Sequence, residues 1–449
     1  MASTIITRTP SSAGNRKTMT FSAWIKRSSD TTGRIFSTSY SGENNQFWIK
    51  FGGGNLGVYS RTSGSYTLGF DTTAKYRDVN GWLHIVVAID TTQSTATDRV
   101  KVYVNGSLVS GNLGTTPSQN LDVEWNVAQP NDIGGKSDTN GEYFDGSMSH
   151  VHFCDGLALA PTVFGSTDST TGEWQINTSP SFTLGTNGFT ILKDGNTITD
   201  QSSNSNNFSL DSGTLTKTED SPSNVFATMN PIDSYWMAAT YSNGNNKVVT
   251  QGSHMTSMAA TLGVSSGKYY WEVKADDVTG QMLTGIDTKG ASTCATFSSG
   301  QCIEYTGQRD YAWGYRSNNG KVYNNDSSVN YGNTYTNNDI IGVALDLDNN
   351  KIYWSKNGTW QNSGDPTSGS TGTGAISITP ASSTDTGVYF PAFSDNSTSS
   401  TITYSTNFGN GYFGTTAVSS AGTNASGIGI FEYDVPANFT ALSTKGLNL

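Results

Sequence analysis

Residues 341–360, IGVALDLDNNKIYWSKNGTW, alternate apolar and polar side chains and are cut by two turn signals, so they admit little other than antiparallel hairpins. Val343, Leu345 and Leu347 alternate with Ala344, Asp346 and Asp348, the period of a half-buried strand. Asn349-Asn350 and Asn357-Gly358 are turn pairs that tolerate positive φ. A two-residue loop at Asn349-Asn350 sets Leu347 opposite Ile352 and Leu345 opposite Trp354. A second such loop at Asn357-Gly358 pairs Trp360 with Ser355 and puts Trp360 on the face of Tyr353, away from Trp354 and Ile352.

Similar signals recur upstream. Phe21, Ala23 and Ile25 alternate with Ser22, Trp24 and Lys26; WLHIVVAID (82–90) suits a buried strand; Val100, Val102 and Val104 run into the Asn105-Gly106 turn. No segment of helical period has useful length. The chain is 34% hydrophobic and only 14% charged, which alone would suit disorder, but 21 Tyr, 19 Phe and 10 Trp in strand-like runs argue for packed cores. The fold class is therefore all-β, as two tandem antiparallel β-sandwiches, and 449 residues suffice for two or three domains.

Charge excludes one class of partner. At net −11, with basic residues scattered, the chain lacks a footprint for nucleic acid. The densest basic group, Arg16, Lys17, Lys26 and Arg27, reads as a solvated strand edge. No apolar run reaches the roughly 18 residues of a membrane span, and MASTIITRTPSS lacks the layout of a signal peptide, so synthesis in a host cytoplasm is expected. Cys154, Cys294 and Cys302 are too few for a disulfide framework; Cys294 and Cys302 could close a short loop, but free thiols are expected.

Three ordered blocks, TMTFSAWIKR, WLHIVVAIDTTQSTATDRVKVYVNGSLV and IGGKSDTNGEYFDGSMSHVHFCDGLAL, resemble the laminin-G-like jelly roll of the concanavalin A-like superfamily. GKYYWEV, YAWGYRSNNGKVY, the 340–360 hairpins, YFPAFS and STNFG resemble a SPRY domain. The expected organisation is a jelly roll over 1–175, a polar connector over 176–224 that lends an edge strand, a SPRY-like sandwich over 225–413, and a C-terminal segment over 414–449 with FEYDVPANF as a docking element. Across the whole chain, RTPSSAGNRKT, FGSTDSTTGEW, DSPSNVFATMNP, ATLGVSSGKYYWEV and FEYDVPANFTALSTKGLNL are similar to large structural proteins of marine tailed bacteriophages. That resemblance implies a structural protein on the virion exterior, with other virion proteins as partners and, by analogy with fibres, a homotrimer.

Catalytic patterns are missing. Glycanases of the superfamily carry Glu-x-Asp-x-Glu on one strand, whereas the eight Glu here never fall in that pattern. Glu142 and Asp145 point to opposite faces of a strand, and Asp346 with Asp348 reads as a solvated pair beside a turn. With four His and no nucleophile elbow, serine chemistry is equally unsupported, and the protein is expected not to be an enzyme. His150 and His152 share a strand face but make only two ligands, so a locally bonded pair is favoured over a metal site. The loop 131–145, with Asp132, Asp138, Asn140 and Asp145, is oxygen-rich enough for Ca²⁺ but lacks fixed ligand spacing; no other cofactor is implied.

Binding is left. Tyr311, Trp313 and Tyr315 read as core. Tyr353 and Trp360 are the ligand-binding candidates, either as a platform for a sugar or as a face covered by other structure. The expected function is recognition of a host-surface glycan by a tail fibre or spike; the alternative is capsid decoration or a head fibre, and a depolymerase comes third.

Overall fold

The computed structural model describes residues 3–38, 44–193, 197–232, 239–252, 255–288 and 304–448, with the backbone of the strands Phe297–Ser298 and Gln301–Cys302. Pairing of Cys294 with Cys302 lies outside the described residues; Cys154 is a buried free thiol. The chain forms two compact units, residues 1–217 and 218–449, and each is a sandwich of two antiparallel sheets. Among the described residues no helix is long and apolar enough to cross a membrane.

In the first unit an eight-stranded sheet runs Gly111–Thr115, Ser65–Thr72, Asn55–Thr62, Gln46–Gly52, Gly33–Thr38, Asn131–Ile133, Ile5–Arg8, Ser209–Ser212. It faces a six-stranded sheet ordered Phe189–Ile191, Gly146–Asp155, Thr18–Arg27, Trp82–Asp90, Val100–Val104, Ser107–Leu108. Alternation decides what goes between them: Phe21, Ala23 and Ile25 meet Phe47, Ile49 and Phe51 across fully buried Trp125, whose ring stacks 4.4 Å from Phe47 and 5.1 Å from Phe153. The connector supplies an edge strand to each sheet, Phe189–Ile191 and Ser209–Ser212. Between those strands DQSSNSNNF forms a hydrogen-bonded knot. Asp200 accepts backbone N–H groups from Thr190, Ser202 and Asn206, while the amides of Asn204 and Asn206 both donate to the Gly188 carbonyl.

One expectation about charge fails here. Lys26 and Arg27 are both buried; Arg27 lies 4.4 Å over the Phe51 ring, donates to the Tyr76 carbonyl and pairs with Asp30. The Arg27 guanidinium thus lies against a ring while two of its nitrogens donate to oxygens, which offsets the loss of water.

In the second unit the main path of the larger sheet is Thr240–Ser242, Lys247–Val249, Thr403–Asn407, Lys268–Asp277, Ile340–Asp346, Lys351–Lys356, Thr359–Trp360. The facing sheet is Thr256–Ala259, Phe390–Asp395, Met282–Asp287, Trp313–Arg316, Lys321–Asn324, Ser327–Asn330. Trp313 and Tyr315 are in the core, with Tyr311 packed against it.

The first hairpin differs from expectation in register. Leu345 faces Ile352, Val343 faces Trp354 and Asp346 faces Lys351, so the loop holds residues 347–350 rather than an Asn-Asn pair. Leu347 is buried in the core, and only Asn350 of the two Asn has positive φ. Asp346 is not solvated: fully buried, it lies 2.9 Å from Lys268 and accepts from the backbone N–H and amide of Asn349. Asp348 accepts from the Gly267 N–H. Moving each partner by two residues preserves parity, so the faces stay as expected. The second turn is as read, with Asn357 and Gly358 both at positive φ and Trp360 facing Ser355.

Trp354 locks this core, donating its indole N–H to the Thr284 carbonyl while its backbone N–H reaches the Tyr331 hydroxyl. Trp354→Ala is expected to cost about 3–5 kcal/mol and lower the melting temperature of the second unit sharply. A differential scanning calorimetry trace unchanged from the parent would sink this assignment.

Candidate ligand-binding faces

Tyr353 and Trp360 do share a face, their ring centroids 6.4 Å apart and nearly perpendicular, but it is not an open platform. Tyr353 is fully buried and Trp360 half-buried. The cover is the chain's own C-terminal segment: Phe431, Val435 and Phe439, four residues apart, pack with Tyr270 and Tyr353, and Phe431 meets the Tyr270 ring at 5.1 Å. Gly358 makes room for it, since a Cβ there meets the Tyr433 ring at 2.6 Å. Glu272 fixes the segment from below, accepting the backbone N–H groups of Glu432 (2.9 Å) and Tyr433 (2.8 Å), the Tyr270 hydroxyl and the Asn407 amide. The apolar side chains of FEYDVPANF are thus already used within the second unit.

The outer face of the six-stranded sheet in the first unit is covered in the same manner. Trp24 stacks on His84 at 4.9 Å, and Trp174 closes over His84, donating to its Nδ1 at 3.0 Å. Phe164 and Phe182 pack on His152.

The outer face of the eight-stranded sheet is different. Gln46, Trp48 and Lys50 alternate with the core residues Phe47, Ile49 and Phe51, so Trp48 points away from the core. Across the next strands it meets Tyr59 (5.1 Å, 22° between planes) and Tyr66 (6.1 Å); Tyr59 and Tyr66 are 6.2 Å apart. Each ring carries a cation: Arg34 lies 5.0 Å over Trp48, Lys50 5.8 Å over Tyr59 and Arg61 4.5 Å over Tyr66. Tyr59 lies back over Gly57, where a Cβ would meet its ring at 2.4 Å, and its hydroxyl donates to Asp71. Exposure rises along the cluster, from Trp48 at 5% through half-buried Tyr59 to Tyr66 at 48%. Sequence reasoning missed this site. The alternation at 46–50 was visible, but only strand order brings Tyr59 and Tyr66 to Trp48.

Comparison with known proteins matches each unit separately. Residues 3–164 match the concanavalin A-like lectin/glucanases superfamily (Laminin_G_3), and residues 268–411 match the SPRY domain. The chain is a concanavalin A-like domain followed in tandem by a SPRY domain. Among curated proteins, "ATP-dependent RNA helicase DDX1" of Xenopus laevis is 35% identical over 99 residues, 22% of this chain and 12% of that protein. "Probable ATP-dependent RNA helicase ddx1" of Dictyostelium discoideum is 30% identical over 109 residues, 24% of this chain and again 12% of that protein. The chain spans only that 12% of either helicase. Among solved structures, the SPRY domain of human HERC1 is 17% identical with a TM-score of 0.29, covering 40% of this chain and 96% of that one. A heptameric SAP-like pentraxin from Limulus polyphemus is 19% identical with a TM-score of 0.25, covering 35% and 71%.

In the concanavalin A-like domain the remaining candidates have local partners. His150 bonds to Ser149 at a strand irregularity and His152 to Thr190, with ring centroids 6.3 Å apart. Asp132 accepts from Thr7 and Ser137, Asp138 pairs with Lys136, and Asp145 accepts from Ser29. Asn140 sits at positive φ. Glu142, also at positive φ, leaves any strand and pairs with Arg34. Among the described residues no three His, Cys, Asp or Glu side chains converge as metal ligands.

Buried titratable groups give the two domains opposite pH responses. Burial pushes Glu272 and Asp287 of the SPRY domain up to about 7. Their contribution is therefore complete below the ordinary carboxylate range and is lost as pH rises through about 7. Burial holds His84 and His152 down at about 3, and unfolded His binds a proton below roughly 6.5, so the concanavalin A-like domain loses stability as pH falls from there. Between about pH 7.5 and pH 5.5, hydrogen-exchange protection, corrected for intrinsic rates, should rise in Lys268–Asp277 and fall in Trp82–Asp90. Parallel changes in both strands would refute this assignment.

Proposed function

We propose that the chain is a structural protein of the exterior of a tailed-bacteriophage virion, an appendage of the tail-fibre or tail-spike kind, and that it binds a host-surface glycan without catalysis. The sequence blocks shared with phage structural proteins support the setting. The observation that carries the binding role is the outward stack of Trp48, Tyr59 and Tyr66 on a lectin-like sandwich. Sugars present C–H faces that pack on such rings, and exposed Asp71, which holds the Tyr59 hydroxyl, is a polar group at their edge able to address sugar hydroxyls. Attachment to other virion proteins, and trimerisation, then fall to surfaces other than FEYDVPANF, whose Phe431, Val435 and Phe439 are packed within the second unit.

A second reading, capsid decoration or a head fibre, draws on the strand Ser327–Asn330. It ends its sheet, and all four of its residues are exposed, an edge to which a strand of a neighbouring protein can pair. Antibody labelling of intact particles separates the two: label at the tail tip supports the appendage, and uniform label over the head supports decoration.

Tyr66→Ala is expected to weaken host-cell binding several-fold, since an exposed stacking contact contributes on the order of 1 kcal/mol, and to leave the melting temperature nearly unchanged. Purified protein should release no reducing ends from host polysaccharide. Release that disappears in a carboxylate variant of this chain would replace the binding role with a catalytic one.

A further inference from the structure

We infer that the edge strand Ser327–Asn330 pairs, antiparallel and about a two-fold axis at Val329, with the same strand of a second copy of this chain. This rests neither on the glycan reading nor on where the chain sits in a virion.

Ser327–Asn330 forms a hairpin with Lys321–Asn324 across the turn Asn325-Asp326, both residues of which have positive φ. In such a two-residue hairpin the flanking pair, Asn324 with Ser327, is hydrogen-bonded, and bonding recurs at every second pair. It returns at Val322 with Val329 and again at Gly320, whose carbonyl accepts the Tyr331 N–H at 3.3 Å. The N–H and C=O groups of Ser328 and Asn330 therefore point off the sheet. When two copies turn these groups towards each other, Ser328 meets Asn330 of the second copy and Asn330 meets Ser328, each pair exchanging both backbone bonds.

The side chains fit the same register. Val329 lies opposite Val322, which is 2% exposed in the core, yet Val329 is 52% exposed because the sheet stops there. The two-fold axis sets Val329 against its own copy as a pair with Cα atoms about 4.5 Å apart, so each covers apolar surface that the sandwich leaves wet. Charge argues for a second copy as the occupant. At net −11 most like-to-like contacts of this chain oppose acidic surfaces, but from Asn325 to Asn338 the one charged residue is Asp326. In this register the two Asp326 side chains stand about 20 Å apart along the strands, where salt screens their repulsion. The exposed edge strand of the first unit, Ser209–Ser212, instead carries Asp211 and would turn a carboxylate towards its own kind. Ser327–Asn330 has no Lys, Pro or register shift to turn a second strand away. Its four residues make a small contact, well below the roughly 1,000 Å² of a stable complex, so copies pair weakly and do so where they are held close together. A contact of this symmetry closes at two copies, and joins trimers rather than building one.

Cross-linking of the full chain tests the register. Val329→Cys places two thiols at a separation that a disulfide spans, so mild oxidation should give covalent dimer about tenfold faster than in the parent chain or in Leu108→Cys, a position of the first unit that is still more exposed. Adding Ser328→Pro to Val329→Cys removes an outward N–H and no bond of the hairpin, and should return the rate to that of Leu108→Cys. In the unmodified chain, sedimentation velocity from about 10 µM to about 500 µM should show the mass of the starting species, monomer or trimer, doubling with concentration. Val329→Lys, which sets two ammonium groups face to face, should weaken that doubling about tenfold. Val329→Cys that cross-links no faster than Leu108→Cys, cross-linking that survives Ser328→Pro, or doubling that Val329→Lys leaves unchanged overturns the inference. A mass that stays constant across the range leaves the edge to a strand of a different protein and overturns it as well.

Discussion

Neighbouring residues of a strand point to opposite faces of its sheet, and this chain repeatedly places two large aromatics side by side. Tyr270 precedes Trp271, Tyr353 precedes Trp354, and Phe47 precedes Trp48. One member of each pair fills a sandwich core, and the other must find cover on the outside or tolerate water. Much of the architecture beyond the sandwiches answers this demand. The C-terminal segment lays Phe431, Val435 and Phe439 over Tyr270 and Tyr353, and the strand carrying Trp174 closes over His84, on which Trp24 also stacks. In the SPRY domain the segment around Thr306 crosses the outer face of the smaller sheet, its N–H reaching the Ser394 hydroxyl above Gly314.

Covers of this kind have irregular backbone, so their polar groups need partners that no ladder provides. The scarcity of charge and abundance of Asn, Ser and Thr supply them. Glu272 takes two strap N–H groups, Asp434 takes the N–H and hydroxyl of Thr423, and the Asn424 amide reaches the carbonyls of Ile428 and Gly429. Short side chains lose little rotamer freedom when they make such bonds, which suits them to pin extended segments. The knot around Asp200 works the same way in the connector. A composition that resembles that of a disordered chain is therefore spent on loop backbone, while the aromatics hold the cores.

Strands and faces were legible because alternation is local: Phe21, Ala23, Ile25, Val100, Val102 and Val104 all reach the core the pattern assigns. The register of the 341–356 hairpin was not, because a distant strand decides it. Lys268 compensates buried Asp346, Leu347 drops into the core, and the loop grows to four residues. The fate of Tyr353 was equally hidden. Its cover lies some eighty positions downstream in FEYDVPANF, whose four-residue spacing of apolar side chains has neither strand nor amphipathic-helix regularity. Burial of Arg27 defied the general preference of charge for water through one ring, that of Phe51, which sequence alone does not bring near.

The face carrying Trp48 solves the two-sided problem by another route. No apolar strap is seen among the described residues packed on Trp48, Tyr59 and Tyr66; guanidinium and ammonium groups lie over their rings instead. Arg34 over Trp48 is itself buried, but Lys50 and Arg61 are half-buried, so over Tyr59 and Tyr66 the cations hide apolar surface without sealing it. Such cover is also easier to displace, because exchanging a half-hydrated cation for a ligand frees no buried core. Where Phe431 must leave a packed cluster for Tyr353 to be reached, Tyr66 is reachable as it stands. That difference in the cost of access, rather than the number of aromatics, separates a ring that holds the fold from one available to a partner.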